Sequence, residues 1–229
     1  MNQTTANRYL AYFDIMGFKD LSYRESHDTV HKMMSEFSKI IQRYERMNQN
    51  VGSRGVAGLL PNDSGLDLLV STVVFSDTVL LYSRNDSEIS LSSLMAIAAF
   101  FFSDCIEKGI PIKGAISEGV FTADKEKSLY FGRPLIDAYN LTEEMAFYGA
   151  VLHHSAHKTL KYIPDYKYFT AKVPLKTGNV THTVLSLTLP ELLDSASSLK
   201  PCFEAFYETS SGSVRRYVDN SLAVYEDHF

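Results

Sequence analysis

Tyr9-Leu-Ala-Tyr-Phe-Asp-Ile-Met-Gly-Phe18 and Val73-Val-Phe-Ser-Asp-Thr-Val-Leu-Leu-Tyr82 are the stretches whose reading decides the fold. Each is an apolar run that carries one acidic residue, Asp14 or Asp77, to its end. A carboxylate there is badly placed for a core and well placed for a cation. The first run reads as a strand over Arg8–Asp14, buried on both faces. In the second, Leu66–Phe75 and Thr78–Tyr82 flank Ser76-Asp77, a turn signal. That pattern predicts an antiparallel hairpin with Asp77 at its tip.

Between the two runs lies a helix, about Ser26–Met47. Its apolar residues Val30, Met33, Met34, Phe37, Ile40, Ile41, Tyr44 and Met47 form one stripe at the helical period. Ser26 is its cap and Asp28 stands in the first turn. Asn48–Ser64, rich in Gly, Asn and Ser, reads as a long loop or linker. After the hairpin comes a buried helix, Glu88–Lys108, closed by Gly109. A strand over Pro111–Phe121 follows, in which Gly114 signals close approach of a backbone or ligand. Then come a short strand at Ser128–Phe131 and a helix over Pro134–Tyr148, with Pro134 in its first turn. Strands near Tyr166–Val173 and Val180–Leu187, and helices over Pro190–Glu208 and Ser213–Tyr225, complete the chain.

This order predicts an α+β fold with a ferredoxin-like βαββαβ mixed sheet and helices on one face. One domain spans 1–229, with a core of about 8–150 and a C-terminal α/β extension of about 151–229. In that order the first strand lies beside the third, so the end of the first faces the hairpin turn.

Composition narrows the function classes. The 229 residues are 45% hydrophobic and 21% charged, ordinary for a globular chain. A net charge of −5, with no Lys/Arg run of five or more, argues against nucleic acid as partner. Cys105 and Cys202 read as reduced, buried thiols. The polar N-terminus has no signal-peptide core, and the apolar run Leu94–Phe102 is too short to span a bilayer; a cytoplasmic protein without membrane partner is expected. His153, His154 and His157 lack a zinc-site pattern and read as surface or capping residues. Arg215-Arg216 read as the solvated face of the last helix, or as a phosphate contact.

An aspartate at a strand end is usually a turn former or a cap. Two of them, each after an apolar strand and brought to one corner by the strand order, favour a shared site for two divalent cations, Mn²⁺ or Mg²⁺. Two-metal sites suit phosphoryl transfer. Ile15 offers its backbone carbonyl as a further ligand. Asp14-Ile-Met-Gly-Phe18 turns the chain so that the amides of Gly17 and Phe18 are candidates for a phosphate. Tyr12, two residues before Asp14, leaves the same strand face. It packs on a base or ribose, or serves as a plain core aromatic.

These motifs, in this order, resemble the class III nucleotidyl cyclases. Phe13-Asp-Ile-Met-Gly-Phe18 looks like their first metal motif and Phe75-Ser-Asp-Thr-Val79 like their second, with Ser76 where Gly is usual. Ile112-Lys-Gly-Ala-Ile-Ser-Glu-Gly119 looks like their Gly-containing strand. Tyr130-Phe-Gly-Arg-Pro-Leu-Ile-Asp-Ala-Tyr-Asn140 is similar to their dimer-interface helix. The resemblance covers about residues 8–150 and is strongest to the bacterial Pycsar pyrimidine cyclases. It implies a sheet of class III cyclase type, a homodimer with sites at the interface, and Mn²⁺ or Mg²⁺ as cofactor. It also implies UTP or CTP as substrate, 3′,5′-cyclic UMP or CMP as product, and an antiphage effector reached through the cyclic nucleotide.

The departures from that pattern bear on substrate and catalysis. Asp137 and Leu141 stand nearest the positions where purine cyclases place a catalytic Asn and Arg; Arg133, or a cation from elsewhere in the dimer, is the candidate replacement, and the other reading of Arg133 is a surface arginine with no catalytic role. Val73 and Leu129 stand near the adenine-reading positions, which argues against ATP. Uridylate cyclase is the preferred reading; a cytidylate cyclase, or a catalytically silent nucleotide-binding domain, is the alternative.

Overall fold

The computed structural model describes residues 4–50, 70–187 and 193–228. Strand β1 (Thr5–Ile15) leads through a turn into a short helix α1 (Phe18–Arg24) and a long helix α2 (His27–Asn50). The hairpin β2 (Val70–Phe75) and β3 (Thr78–Ser83) precedes helix α3 (Glu88–Glu107). Strands β4 (Ile112–Asp124) and β5 (Leu129–Gly132) lead to helix α4 (Arg133–Glu144) and the short strand β6 (Ala150–Leu152). A single helical turn, α5 (His157–Leu160), and the hairpin β7 (Tyr168–Leu175) and β8 (Gly178–Leu185) follow. Helices α6 (Leu193–Thr209) and α7 (Arg215–Tyr225) end the described chain.

Among the described residues the strands form one sheet in the order β2-β3-β1-β4-β6-β8-β7, with β5 paired to β4. β2, β3, β1 and β4 pair antiparallel with one another in the expected βαββαβ order, with β1 beside β3. β4 and β6 run parallel, which makes the sheet mixed. The C-terminal hairpin continues the same sheet rather than forming a layer of its own.

Local chemistry explains the element ends. Ser26 caps α2, its hydroxyl accepting from the Thr29 amide at 3.2 Å. Ser87 does the same for α3 at Ser90. Gly109, at φ +69°, ends α3, and the Ile110 amide returns to the Cys105 carbonyl at 2.9 Å. Gly114 confirms the close approach its position signals: a Cβ there would meet the Phe13 ring at 2.4 Å and the Tyr12 carbonyl at 2.5 Å.

Two expectations need correction. The helices do not share one face. Phe13 packs on Phe101 of α3, whereas Tyr12, on the opposite side of β1, packs on Tyr139 of α4. An apolar strand buried on both faces needs a cover on each, and α4 supplies the second. Helix α4 also stops at Glu144, short of Tyr148, because Met145 bridges to Leu175 and the Ala146 amide bonds to the Pro174 carbonyl. Of the expected loop Asn48–Ser64, 48–50 are helical and the rest lies outside the described residues, as do 66–69 and 188–192. Helix α3 is long and apolar enough to cross a membrane by length and composition alone; its apolar residues, including Leu94, Ala98 and Phe102, pack the core.

Candidate active site

Asp14 sits at the penultimate position of β1, opposite Thr78 on one side and Lys113 on the other. Asp77 occupies the two-residue turn between Phe75 and Thr78. Ser76, at φ +55°, takes the left-handed turn position that favours glycine. The Ile15 amide donates to the Asp77 carbonyl at 3.1 Å, which stitches the end of β1 to the hairpin tip. The strand order thus brings both predicted carboxylates to one corner of the sheet.

Their electrostatics report that closeness. Burial, and then the charge of Asp77, push the Asp14 carboxyl up to about 6. Lys113 opposes the shift and Glu143 of α4 adds to it. Two hard carboxylates brought to one corner form a donor set suited to a divalent cation. Among the described residues no group of three or more His, Cys, Asp or Glu side chains is arranged to hold a metal.

The other predicted residues divide. Gly17, at φ +73° with nothing within 4 Å of a Cβ position, turns the chain from β1 into α1, and its carbonyl accepts from the Leu21 amide at 2.9 Å. Phe18 is the first residue of α1 and packs partly against the core. Tyr12 is 8% exposed; its hydroxyl lies 3.3 Å from that of Thr78, and its ring meets Tyr139 edge-on at 5.6 Å. Burial is the main cause that pushes its hydroxyl up to about 12.

Arg133 is not brought to the carboxylates. Its side chain is 81% exposed and pairs with Asp137 one helical turn on, at 3.3 Å. It begins α4, while the residue beside Asp14 is Glu143, near the other end; ten residues of helix separate them, about 15 Å. Arg215 also has a plainer place: its guanidinium donates to the Tyr207 and Ser210 carbonyls, closing the end of α6. His153, His154 and His157 directly follow β6, where His153 caps a short turn and His157 bonds the Leu152 carbonyl.

The sequence reading missed Lys113 and Glu143. Lys113 is only 2% exposed, and its Nζ lies 3.7 Å from Glu143. Glu143 in turn faces Lys176, in the turn between β7 and β8, at 3.7 Å. The signal was present: a lysine in the middle of the apolar run Ile110-Pro-Ile-Lys-Gly-Ala-Ile116 has no place in a plain core.

No protein-family model and no curated protein matches the sequence. Solved structures do match in three dimensions. The catalytic core of a rhodopsin-guanylyl cyclase of converted specificity, in complex with ATPαS, superposes with a TM-score of 0.51 at 16% identity, over 79% of this chain and 96% of that one. A bacterial light-regulated adenylyl cyclase superposes at 0.54 and 8% identity, over 89% and 99%. The fold is therefore that of the class III nucleotidyl cyclases, with an α+β mixed sheet and flanking helices.

Proposed function

We propose that this chain is a metal-dependent pyrimidine nucleotide cyclase that converts UTP to 3′,5′-cyclic UMP and pyrophosphate. The observation that carries the reading is the meeting of Asp14 and Asp77 at one sheet corner, in a fold shared with cyclase catalytic domains. Asp14, Asp77 and the Ile15 carbonyl would hold two cations, Mn²⁺ or Mg²⁺. When bound, these would neutralise charge on the triphosphate and favour ionisation of the ribose 3′-hydroxyl. The reaction forms the bond from the 3′-oxygen to the α-phosphorus, breaks the bond to pyrophosphate and releases the hydroxyl proton. The amides of Gly17 and Phe18 lie at the turn leaving β1, where they would donate to phosphate oxygens. Tyr12, beside Asp14, would border the base or ribose.

Arg133, at the far end of α4 from its own carboxylates, would reach a carboxylate pair only across a homodimer. The exposed Ile136 and Tyr139 on α4, with Val120 and Phe131 beside them, suit such an interface. The resemblance to Pycsar cyclases extends the reading to a cytoplasmic antiphage signal, passed to an effector by the cyclic nucleotide. A second reading, a silent cyclase-like nucleotide-binding domain, is favoured by one observation: Arg133 is already paired with Asp137.

The test is incubation of the purified protein with each of the four NTPs and Mn²⁺, with products identified by mass. Cyclic UMP is the expected product, and cyclic CMP would move the base assignment. Tight NTP binding without turnover, unchanged in Asp77→Ala, would establish the silent reading. A protein that neither binds nor turns over any NTP would exclude both.

A further inference from the structure

Lys113 is the direct ladder partner of Asp14 across β4 and β1. Residues so opposed leave the same sheet face, with Cβ atoms about 5 Å apart. An ammonium at that position is within reach of the Asp14 carboxylate. It lies instead 3.7 Å from Glu143 Oε1, on the helix that covers this face. Glu143 is held from its other side: its second oxygen is 3.7 Å from Lys176, beyond the end of β7. The Lys113 side chain is 3% exposed, so the solvent does little to screen it, whereas Glu143 is 44% exposed.

We propose that Glu143 is a positioning residue: it draws the Lys113 ammonium toward α4, away from the Asp14–Asp77 pair, and so keeps that pair open to a divalent cation. A cation on Lys113 that turned to Asp14 would compete directly for the carboxylate. The bridge to Lys176 fixes the Glu143 carboxylate from the β7–β8 hairpin, so the C-terminal part of the sheet sets the charge balance at the opening corner. The inference rests on the carboxylate pair being a cation site.

Mn²⁺ binding to the purified protein without nucleotide, read from the loss of the free-ion EPR signal, tests it. Glu143→Gln is expected to weaken Mn²⁺ binding roughly three- to tenfold. Lys113→Met is expected to tighten it by a similar factor. In the Lys113→Met background, Glu143→Gln is expected to change the affinity by less than about twofold, because nothing remains to be held away. That last comparison separates positioning from a direct effect of the Glu143 charge. Equal losses in both backgrounds, or no loss in Glu143→Gln alone, would overturn the inference while leaving the cation site standing. A wild-type protein that binds no Mn²⁺ would overturn the cation site and this inference with it. Glu143→Gln alters a half-exposed side chain, and its thermal melt verifies that the fold is intact.

Discussion

Asp14 sits where stability and chemistry pull in opposite directions. Its carboxyl titrates at about 6 in the fold, against 3.8 for an ordinary aspartate. The ionised form is therefore disfavoured by folding. The penalty is absent below about pH 4, grows as pH rises through that interval, and is complete above about pH 6. Asp14→Asn is expected to stabilise the metal-free protein at pH 7 by about 1–2 kcal/mol, the full shift being reduced because the group is only partly buried. At low pH the gain should vanish, as thermal melts at about pH 4 and about pH 7 would reveal. The same variant is expected to lose Mn²⁺ binding. In the wild-type protein, Mn²⁺ affinity is expected to fall as the pH drops below about 6, since a proton then competes for the ligand. Affinity independent of pH between about 5 and about 7.5 would remove Asp14 from the ligand set. Asp14 and Asp77 were legible because a carboxylate interrupting an apolar strand contradicts its surroundings. Lys113 contradicted them equally, yet its meaning depends on Glu143, thirty positions on and on another element. Pairing of that kind is written in the packing, not in the local pattern.

The elements that carry the site follow strong local rules, and those that were missed do not. β1, α2 and α3 are long, and with the β2–β3 hairpin they are punctuated by Ser26, Ser76, Ser87 and Gly109. By contrast α1 is seven residues and β6 three, too short to show a period. The end of α4 was misplaced because its apolar pattern continues through Phe147 and Tyr148, which follow in irregular chain once Met145 and Ala146 have turned aside to pair with β7. The side of the sheet that α4 covers was also illegible, since β1 is apolar on both faces. β1 and β4 meet closely at Gly114. Gly114→Ala is expected to destabilise the protein by about 2–3 kcal/mol, because Phe13 and the Tyr12 carbonyl leave no room for a methyl group. Urea denaturation measures the loss. A change under about 0.5 kcal/mol would mean that β1 and β4 can part locally.

Across the whole molecule, the C-terminus is tied to the middle of the chain. Ser221 of α7 accepts from the buried Tyr148 amide at 2.7 Å, and Asn220 donates to the Ala146 carbonyl at 2.7 Å. The segment between α4 and β6 is thus held by a helix some seventy residues later, and Gly149 in that segment accepts from the Gly114 amide at 2.9 Å. Ser221→Ala would leave the Tyr148 amide without its partner and is expected to cost about 1–3 kcal/mol, seen as a lower midpoint in denaturant. No change in midpoint would show that the amide finds another acceptor. At the opposite pole of the same architecture lies β1, which is bonded on both edges, by β3 and by β4. Its amides from Tyr9 to Phe13 have no edge from which to open, so their hydrogen exchange is expected to require unfolding of the entire domain. Exchange of these amides at the rate of surface loops would contradict that. The strand that delivers Asp14 is then among the last parts of the protein to come apart. Such a corner cannot reshape itself around whatever ion arrives, and should sort ions by radius, as a rigid gauge does.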